Sequence, residues 1–393
     1  MLDIKAKDTI KYILANFSQM NHLGYFKKWD IKKKKKEDFI NEILNNIEND
    51  EVKKEDFVQW FNKFTIDGNN YYYVFDCEKF DKKSIEKYVE TIECIDLINI
   101  NYNDIKSKTC ILKESNEDKN RVVLKYVSPA YIQIREKENG GIKVDIEKTL
   151  YFNSVVIDYS LNQLIIVIPH TKGLISVAGK SIVRGNFKEI VTNYIDELSI
   201  NCNAIKANSC INWIYNALDS FAEEGSYHNN PDITDYVEKN DEKIKNFCSE
   251  LMRLSGIESN GIVNNFNEDL KILYESMLIE GLGKKDGLEE YQVYMINGDK
   301  VNSIFNVESR TESLNKGREF AIAKTVRQIS DIKILGIKKV LNNDGNVDRF
   351  LIEVDVTDNK LGFYMIKTDT SKFMKESGIY NVIKKVGSYK EFT

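Results

Sequence analysis

The chain has 393 residues and a mass of 45.6 kDa, above the size at which a single hydrophobic core usually stops growing, so more than one domain is expected. Hydrophobic residues make up 42% and charged residues 30% of the sequence, which excludes wholesale disorder. The net charge of −5 excludes a general attraction to nucleic acid or anionic membrane, so any such contact must come from a local patch.

The apolar segments and the cysteines indicate a cytoplasmic protein. The longest apolar run, Leu164 to Ile168, is far shorter than the roughly 20 residues that span a bilayer, and the N-terminus lacks the apolar core of a signal peptide. We therefore expect no membrane partner. The six cysteines form no CxxC pair, which is typical of reduced thiols and predicts neither a metal site nor a cofactor. The abundance of Lys, Ile and Asn indicates an AT-rich bacterial genome.

Helical periodicity runs through the N-terminal part of the chain. Apolar residues recur at helical spacing over 7–64 and predict three or four short helices. Asp67-Gly68 ends this pattern, 71–75 is rich in strand-forming residues, and 84–98 is again helical.

From about Arg121 to Val183 the hydrophobic period changes to two. This segment predicts an antiparallel meander of five short strands. Asn139-Gly140 predicts a type I′ turn between the second and third strands, because both residues tolerate positive φ. Pro169 cannot donate to a strand ladder, so it marks a sheet edge or the end of a strand.

Helical stripes follow this meander and predict helices within 187–224 and over 241–254 and 267–280. Two strands are expected at 291–296 and 301–307, before a helix at 312–329. The clearest alternation of apolar and polar residues lies in the C-terminal part of the chain, where it predicts three strands that form a second meander. An amphipathic helix is expected after them, at 371–385. Those strands are expected at 332–341, 347–356 and 361–367.

The predicted fold class is α+β, with a helical N-terminal domain, a central antiparallel β meander with a following helical segment, and a C-terminal β meander with flanking helices. The predicted domains are residues 1–66, 67–184, 185–287 and 288–393.

Positive charge is densest near the N-terminus. Seven lysines lie within ten residues there, against Asp30 alone, and we call them the lysine cluster: Lys27, Lys28, Lys32, Lys33, Lys34, Lys35 and Lys36. If the last five form the turn between two helices, they project from one edge, where phosphates would release counterions on binding. The alternative is a solvated loop, in which Glu37 and Asp38 satisfy part of the positive charge.

This segment resembles a SAP-type DNA-binding module, in which a Gly-Leu step, a loop of small residues and a lysine precede an apolar helix face. The matched positions are Asp30-Ile31 at the step, Lys32 to Lys35 in the loop, Lys36 at the basic position, and Phe39, Ile40 and Ile43 on the helix. The resemblance covers about twenty of the 393 residues, and Asp30 stands where the module has Gly. It implies contact with duplex DNA through the lysine cluster.

A second basic surface is predicted on the helix at 312–329. At 100° per residue, Lys316, Lys324 and Arg327 fall within one arc of this helix. The predicted apolar face opposite this arc consists of Leu314, Ile322, Val326 and Ile329. The alternative is an ordinary surface helix with basic residues outside.

The catalytic residues, if there are any, stay unknown from the sequence. Glu353 and Asp355 share a strand face with Asp348 just upstream, so a carboxylate metal site is one interpretation, and charge alternation on an exposed strand is the other. His170 and His228 lie in predicted loops without a nucleophile elbow to support them.

The sequence therefore predicts a non-enzymatic, nucleic-acid-associated binding protein. It would contact duplex DNA through the lysine cluster and Lys316, Lys324 and Arg327, and a protein partner or a second copy through the remaining body, in a phage-defence or genome-maintenance setting. The alternatives are a metal-dependent nuclease with a divergent carboxylate site and a protein-binding adaptor that contacts no nucleic acid.

Overall fold

The structure is a computed structural model. It describes residues 4–16, 36–64, 66–99, 101–116, 120–138, 141–171, 173–182, 187–208, 211–223, 231–256, 260–282, 291–300, 303–309, 313–314, 317–340, 347–355, 362–368 and 374–390. The described elements confirm the predicted α+β class, with helices at the N-terminus and strands in the central and C-terminal parts.

Ten helices and twelve strands lie in the described residues. The helices are α1 (Ile4–Asn16), α2 (Lys36–Glu48), α3 (Lys54–Phe64), α4 (Lys82–Thr91), α5 (Lys188–Asn201), α6 (Trp213–Glu223), α7 (Pro231–Leu254), α8 (Asn260–Leu282), α9 (Gly317–Ile329) and α10 (Glu376–Ser388). The strands are β1 (Asn70–Asp76), β2 (Thr109–Asn116), β3 (Arg121–Glu138), β4 (Gly141–Asp158), β5 (Gln163–Pro169), β6 (Leu174–Val177), β7 (Lys180–Ser181), β8 (Gln292–Lys300), β9 (Ser303–Glu308), β10 (Asp331–Val340), β11 (Val347–Asp355) and β12 (Phe363–Thr368).

The chain divides into two compact units. The first contains Met1–Cys210, Asp358–Phe363 and Ser371–Tyr380. The second contains Ile211–Thr357, Tyr364–Thr370 and Asn381–Thr393.

The strands of the first unit pair in the order β7-β6-β3-β4-β5-β1, and β2 also pairs with β3. These pairings are antiparallel. The first half of β3 pairs with β2 and a later part pairs with β6, so two short strands share one side of a long one.

One expectation about this meander is wrong, because four of its five predicted short strands are two long ones. The hairpin of β3 and β4 runs without interruption from the pair Arg121↔Asp158 to the pair Glu138↔Gly141. Pro129 does not end β3, because it lies between the last residue that pairs with β2, Val127, and the first that pairs with β6. A missing N–H costs little where no partner strand is present. Residues 139–140, where the I′ turn is predicted, lie outside the described residues.

The two faces of the β3–β4 hairpin are covered by different helices. On one face Val127 and Phe152 belong to the same hydrophobic core as apolar residues of α1, α2 and α3. We call this side of the sheet the α1–α3 face. On the other face the ring of Tyr126 lies 5.6 Å from the ring of Tyr194 in α5. The N-terminal helices therefore share their core with strands that follow much later in the chain.

The strands of the second unit follow the order β12-β11-β10-β8-β9. The pairs β10–β11, β10–β8 and β8–β9 are antiparallel, as the predicted C-terminal meander requires. Gly336 lies where β10 approaches β8 closely, since a Cβ there would come within 2.6 Å of the Cβ of Met295. A larger residue at this position would force the two strands apart.

Candidate functional site

Most of the lysine cluster lies outside the described residues. This holds for Lys27, Lys28 and Lys32 to Lys35, and for the side chain of Lys36, whose backbone begins α2. Phosphate contact by these residues therefore stays a prediction.

The two helices that flank the lysine cluster are described, and they belong to one hydrophobic core. Ile10 and Ile13 of α1 pack in the same buried cluster as Phe39 and Ile43 of α2. Ile40 is partly buried against it, so the helix face that the SAP-type resemblance requires to be apolar is apolar and covered. The segment that carries the lysine cluster is therefore preceded and followed by helices of a single packed core.

The acidic residues next to the lysine cluster have a local explanation. Glu37 and Asp38 are exposed and lie in the first turn of α2. Carboxylates in a first turn interact favourably with the unpaired N–H groups and the positive end of the helix dipole. The helix dipole therefore explains why Glu37 and Asp38 are acidic, without any role for them in neutralising the lysine cluster.

The second predicted basic surface contacts carboxylates of its own unit. Lys316 lies outside the described residues, while Nζ of Lys324 lies 2.6 Å from Oε2 of Glu275 in α8. Nε of Arg327 lies 2.7 Å from Oδ1 of Asp219 in α6, and its side chain is only 8% exposed. Nη2 of Arg327 also lies 3.1 Å from Oε2 of Glu223. The two cations thus join α9 to two other helices, and their contact with phosphate stays a prediction.

Only part of the apolar face that was expected on α9 is buried. Val326 is 6% exposed and Leu314, which precedes α9, is fully buried, but Ile322 is 55% exposed, so its predicted burial is wrong; the side chain of Ile329 lies outside the described residues. The arc that carries Lys324 and Arg327 faces neighbouring helices. This is possible because carboxylates on those helices compensate the buried positive charge. A stripe of apolar residues cannot show where such partners lie.

The carboxylates considered for a metal site are only partly described. Oε2 of Glu353 accepts a contact of 3.4 Å from Nζ of Lys367 on β12, and the side chain of Asp355 is not described. Among the described residues no group of three His, Cys, Asp or Glu side chains is placed to hold a metal ion. His170 packs edge-on against Tyr71, with ring centroids 5.8 Å apart.

A largely buried group of charges in the first unit was not identified from the sequence. We call it the charge cluster, and it consists of Asp67, Arg121, Lys125, Asp158 and Glu376. Arg121 and Lys125 lie four residues apart in β3, so both side chains project from the α1–α3 face. Nη1 of Arg121 lies 2.7 Å from Oε1 of Glu376, the first residue of α10. The backbone N–H of Glu376 in turn donates to Oδ1 of Asp67 at 2.6 Å.

Burial shifts the ionisation of two members of the charge cluster. Lys125 is 2% exposed, and desolvation lowers the pKa of its amine to about 7, although the negative charges of Glu114, Glu376 and Asp67 act in the opposite direction. Asp158 is fully buried, and desolvation raises the pKa of its carboxyl against a 2.9 Å hydrogen bond from the N–H of Leu161.

The geometry of the charge cluster supports a structural role. A lysine with a pKa near 7 is partly neutral at neutral pH and could act as a base. Its burial to 2% exposure closes it to a dissolved substrate, however, whereas Arg121 and Asp67 both hold the start of α10. Strand alternation could not identify this cluster, because it does not distinguish an exposed charge from one paired with a residue far along the chain.

The fold thus defines an α+β protein of two units, and the comparisons add no family to that class. A scan against protein-family models and a search of curated proteins returned no match for this chain. No helix within the described ranges is long and apolar enough to cross a bilayer.

Proposed function

We propose that this protein is a non-enzymatic, nucleic-acid-binding protein that contacts the phosphates of duplex DNA through the lysine cluster and a protein partner through its remaining body. The observation that carries the proposal is the charge density, since seven lysines within ten residues contrast with a chain of net charge −5. We further propose a bacterial, cytoplasmic setting in phage defence or genome maintenance.

The proposal is supported by how the lysine cluster is attached. The segment between α1 and α2 is flanked on both sides by helices of one buried core. Anchoring at both ends reduces the conformational entropy that the segment loses when it binds a partner. A polyanion can therefore neutralise several of these lysines in one contact.

The salt dependence of binding gives the proposal a quantitative test. Each phosphate neutralised on duplex DNA contributes about −0.9 to the slope of log K against log salt concentration, so full engagement of the lysine cluster predicts a slope of about −6. We would measure fluorescence anisotropy of labelled duplex and single-stranded probes between about 50 and about 200 mM salt.

A matched pair of variants separates a local contact from a general charge effect. Lys33, Lys34 and Lys35 are replaced by Gln in one variant, and the exposed Lys239, Lys243 and Lys245 of α7 are replaced by Gln in the other. The first variant is expected to lose about 2 to 3 units of salt slope, and the second none, although both lose the same charge.

Equal losses in the two variants, or an unmodified protein that binds no probe at the lowest salt, would overturn the proposal. The absence of any binding would favour the adaptor interpretation. Cleavage of a labelled duplex only with Mg²⁺ or Mn²⁺, abolished by Glu353→Gln, would instead favour the nuclease interpretation.

A further inference from the structure

The hairpin of β3 and β4 extends beyond the strands that flank it. β6 pairs with β3 only as far as Ile132, and β5 pairs with β4 only from Ser154 onward. We call the two-stranded part beyond these contacts the ribbon, which consists of residues 133–138 and 141–148. The ribbon still pairs internally as far as Glu138↔Gly141.

The ribbon exposes a stripe of β-branched side chains on β4. Ile142, Val144 and Ile146 are 63%, 48% and 65% exposed. Residues two apart in a strand project from the same face, so these three form one continuous apolar stripe. Single exposed apolar residues are common on proteins, but three in a row on one strand mark an interaction surface.

The edge of β4 that faces away from β3 also presents backbone hydrogen-bonding groups. The N–H of Gln133 donates to the carbonyl oxygen of Gly173 at 2.7 Å, so it points away from β4. Its partner across the hairpin, Ile146, is therefore in a non-hydrogen-bonded pair, and its own N–H and C=O point outward. By alternation the same holds for Ile142 and Val144. Over 141–148, β3 is the only strand that the structure pairs with β4.

We propose that this edge binds the same edge of a second copy of the chain, in an antiparallel pairing about a two-fold axis at Val144. Val144 then lies opposite Val144 of the second copy, and Ile142 lies opposite Ile146 of the second copy. The apolar stripe is thereby covered by an identical stripe, and the outward N–H and C=O groups complete a ladder across the axis.

Charge complementarity fixes this register. Lys143 and Asp145 lie on the other face of β4, with Nζ and Oδ2 2.8 Å apart within one chain. The axis at Val144 places Lys143 opposite Asp145 of the second copy, and symmetry repeats this contact. An axis at Lys143 would place two ammonium groups opposite each other, and an axis at Asp145 would do so for two carboxylates, both of which are unfavourable.

This pairing rests on the proposed function in one respect, since it identifies the proposed protein partner as a second copy of the chain. Nucleic acid takes no part in the pairing. The experiments are therefore done with the full chain and without nucleic acid. Failure of the pairing would leave the salt-dependent DNA binding intact, and failure of DNA binding would leave the pairing intact.

The first test is a charge swap followed by sedimentation equilibrium. Lys143→Glu and Asp145→Lys each create two like-charge contacts across the axis, so each is expected to raise the dimer dissociation constant about tenfold or more. The double variant Lys143→Glu/Asp145→Lys reverses both charges and is expected to restore the dimer. A native protein that stays monomeric up to about 100 μM, or a double variant that is no better than the single ones, would overturn the proposal.

The second test maps the axis by oxidative crosslinking. Val144→Cys is expected to form an intermolecular disulfide, since directly opposed Cα atoms lie about 5.5 Å apart. Ile142→Cys is the matched control, because it would lie four residues, about 13 Å, from its own copy. The unmodified protein gives the background from its native cysteines. Equal crosslinking of the two variants, or none above background, would contradict the register.

Discussion

Lys125 is the residue whose environment departs most from what its position in a strand pattern suggests. It occupies one of the regularly alternating positions of β3, yet its side chain is 2% exposed, and the negative charges of Glu114, Glu376 and Asp67 act on its amine. Burial penalises the ammonium form, and the nearby carboxylates recover only part of that penalty. The residue therefore couples the protonation state of the protein to its folding.

The stability of the protein is expected to rise with pH above neutrality because of Lys125. Its pKa is about 7 in the folded protein and about 10.5 when unfolded, so between these values the unfolded chain binds more protons. The free energy of unfolding then increases with pH, by at most about 1.4 kcal/mol per pH unit. Urea unfolding between about pH 7 and pH 9 should show this rise, and Lys125→Met should remove it.

The matched control is Lys239→Met, since Lys239 is exposed on α7 and should leave the rise unchanged. The buried tyrosines do not interfere, because raised phenol pKa values such as that of Tyr159, about 12, act only at higher pH and with the opposite sign. An unaltered rise in Lys125→Met would show that another group is responsible.

Two cysteines illustrate what spacing alone could not reveal. The Sγ atoms of Cys94 and Cys110 lie 2.7 Å apart, although the two residues are sixteen positions apart along the chain. Cys94 is exposed, while burial raises the pKa of the Cys110 thiol to about 12. The spacing of the cysteines predicts reduced thiols. It is the isolated β-bridge between Cys94 and Cys110 that brings these two side chains together.

At the scale of elements, α9 shows that a helical stripe predicts a helix better than it predicts the helix's surroundings. The helix was expected over 312–329 and is described from Gly317 to Ile329. The stripe located it, but the carboxylates that bind Lys324 and Arg327 come from other helices, and nothing in the local pattern encodes them. Ile322 consequently lies on the solvent side.

Replacing Arg327 is expected to destabilise the second unit. Its side chain is 8% exposed and contacts Asp219 and Glu223, so Arg327→Leu removes a cation that lies beside two carboxylates. Because these carboxylates are 47% and 36% exposed, water compensates part of the loss, and we expect about 1 to 2 kcal/mol of destabilisation. Thermal unfolding followed by circular dichroism measures this change.

Ile322→Ala on the same helix is the matched control and should change stability by no more than about 0.5 kcal/mol, because Ile322 is 55% exposed. If Arg327→Leu is neutral for stability but weakens DNA binding, the contacts of Arg327 would be incidental and the basic surface predicted from the sequence would be supported.

Strand prediction succeeded where turn residues and alternation agreed. The C-terminal meander was expected at 332–341, 347–356 and 361–367, and the observed strands β10, β11 and β12 differ from these ranges by one or two residues. The central meander was divided too often because each short alternating run was taken as a separate strand, whereas β3 continues through Pro129. Whether a proline breaks a strand depends on the partner beside it, and that partner is a tertiary property.

At the scale of the whole molecule, the N-terminal helices and the central strands share one core. The ring of Phe61 in α3 lies 5.1 Å from the ring of Phe152 in β4, in an edge-to-face arrangement. The sequence placed a domain boundary near residue 66, because composition and periodicity change there. A change of periodicity marks a change of element, but only tertiary contacts show whether the elements on either side share a core.

Phe152→Ala should therefore weaken the helices and the strands together. Phe152 is 3% exposed, so the substitution is expected to cost about 3 to 5 kcal/mol. Denaturation followed by tryptophan fluorescence, with Trp60 in the same core, and by far-UV circular dichroism should give coincident transitions for the first unit.

Ile200→Ala, at a position that is 79% exposed in the same unit, should leave both signals unchanged. An early fluorescence transition in Phe152→Ala, with the circular dichroism signal of the strands retained, would show that the N-terminal helices unfold as a separate domain.

The shared core also has a consequence during synthesis on the ribosome. The apolar faces of α1, α2 and α3 emerge before Phe152, which lies 91 positions after Phe61, has been translated. At about 5 to 20 residues per second, α3 waits roughly 5 to 18 s for Phe152, and the two earlier helices wait longer. Over that interval their hydrophobic surface is open to chaperones and to neighbouring nascent chains.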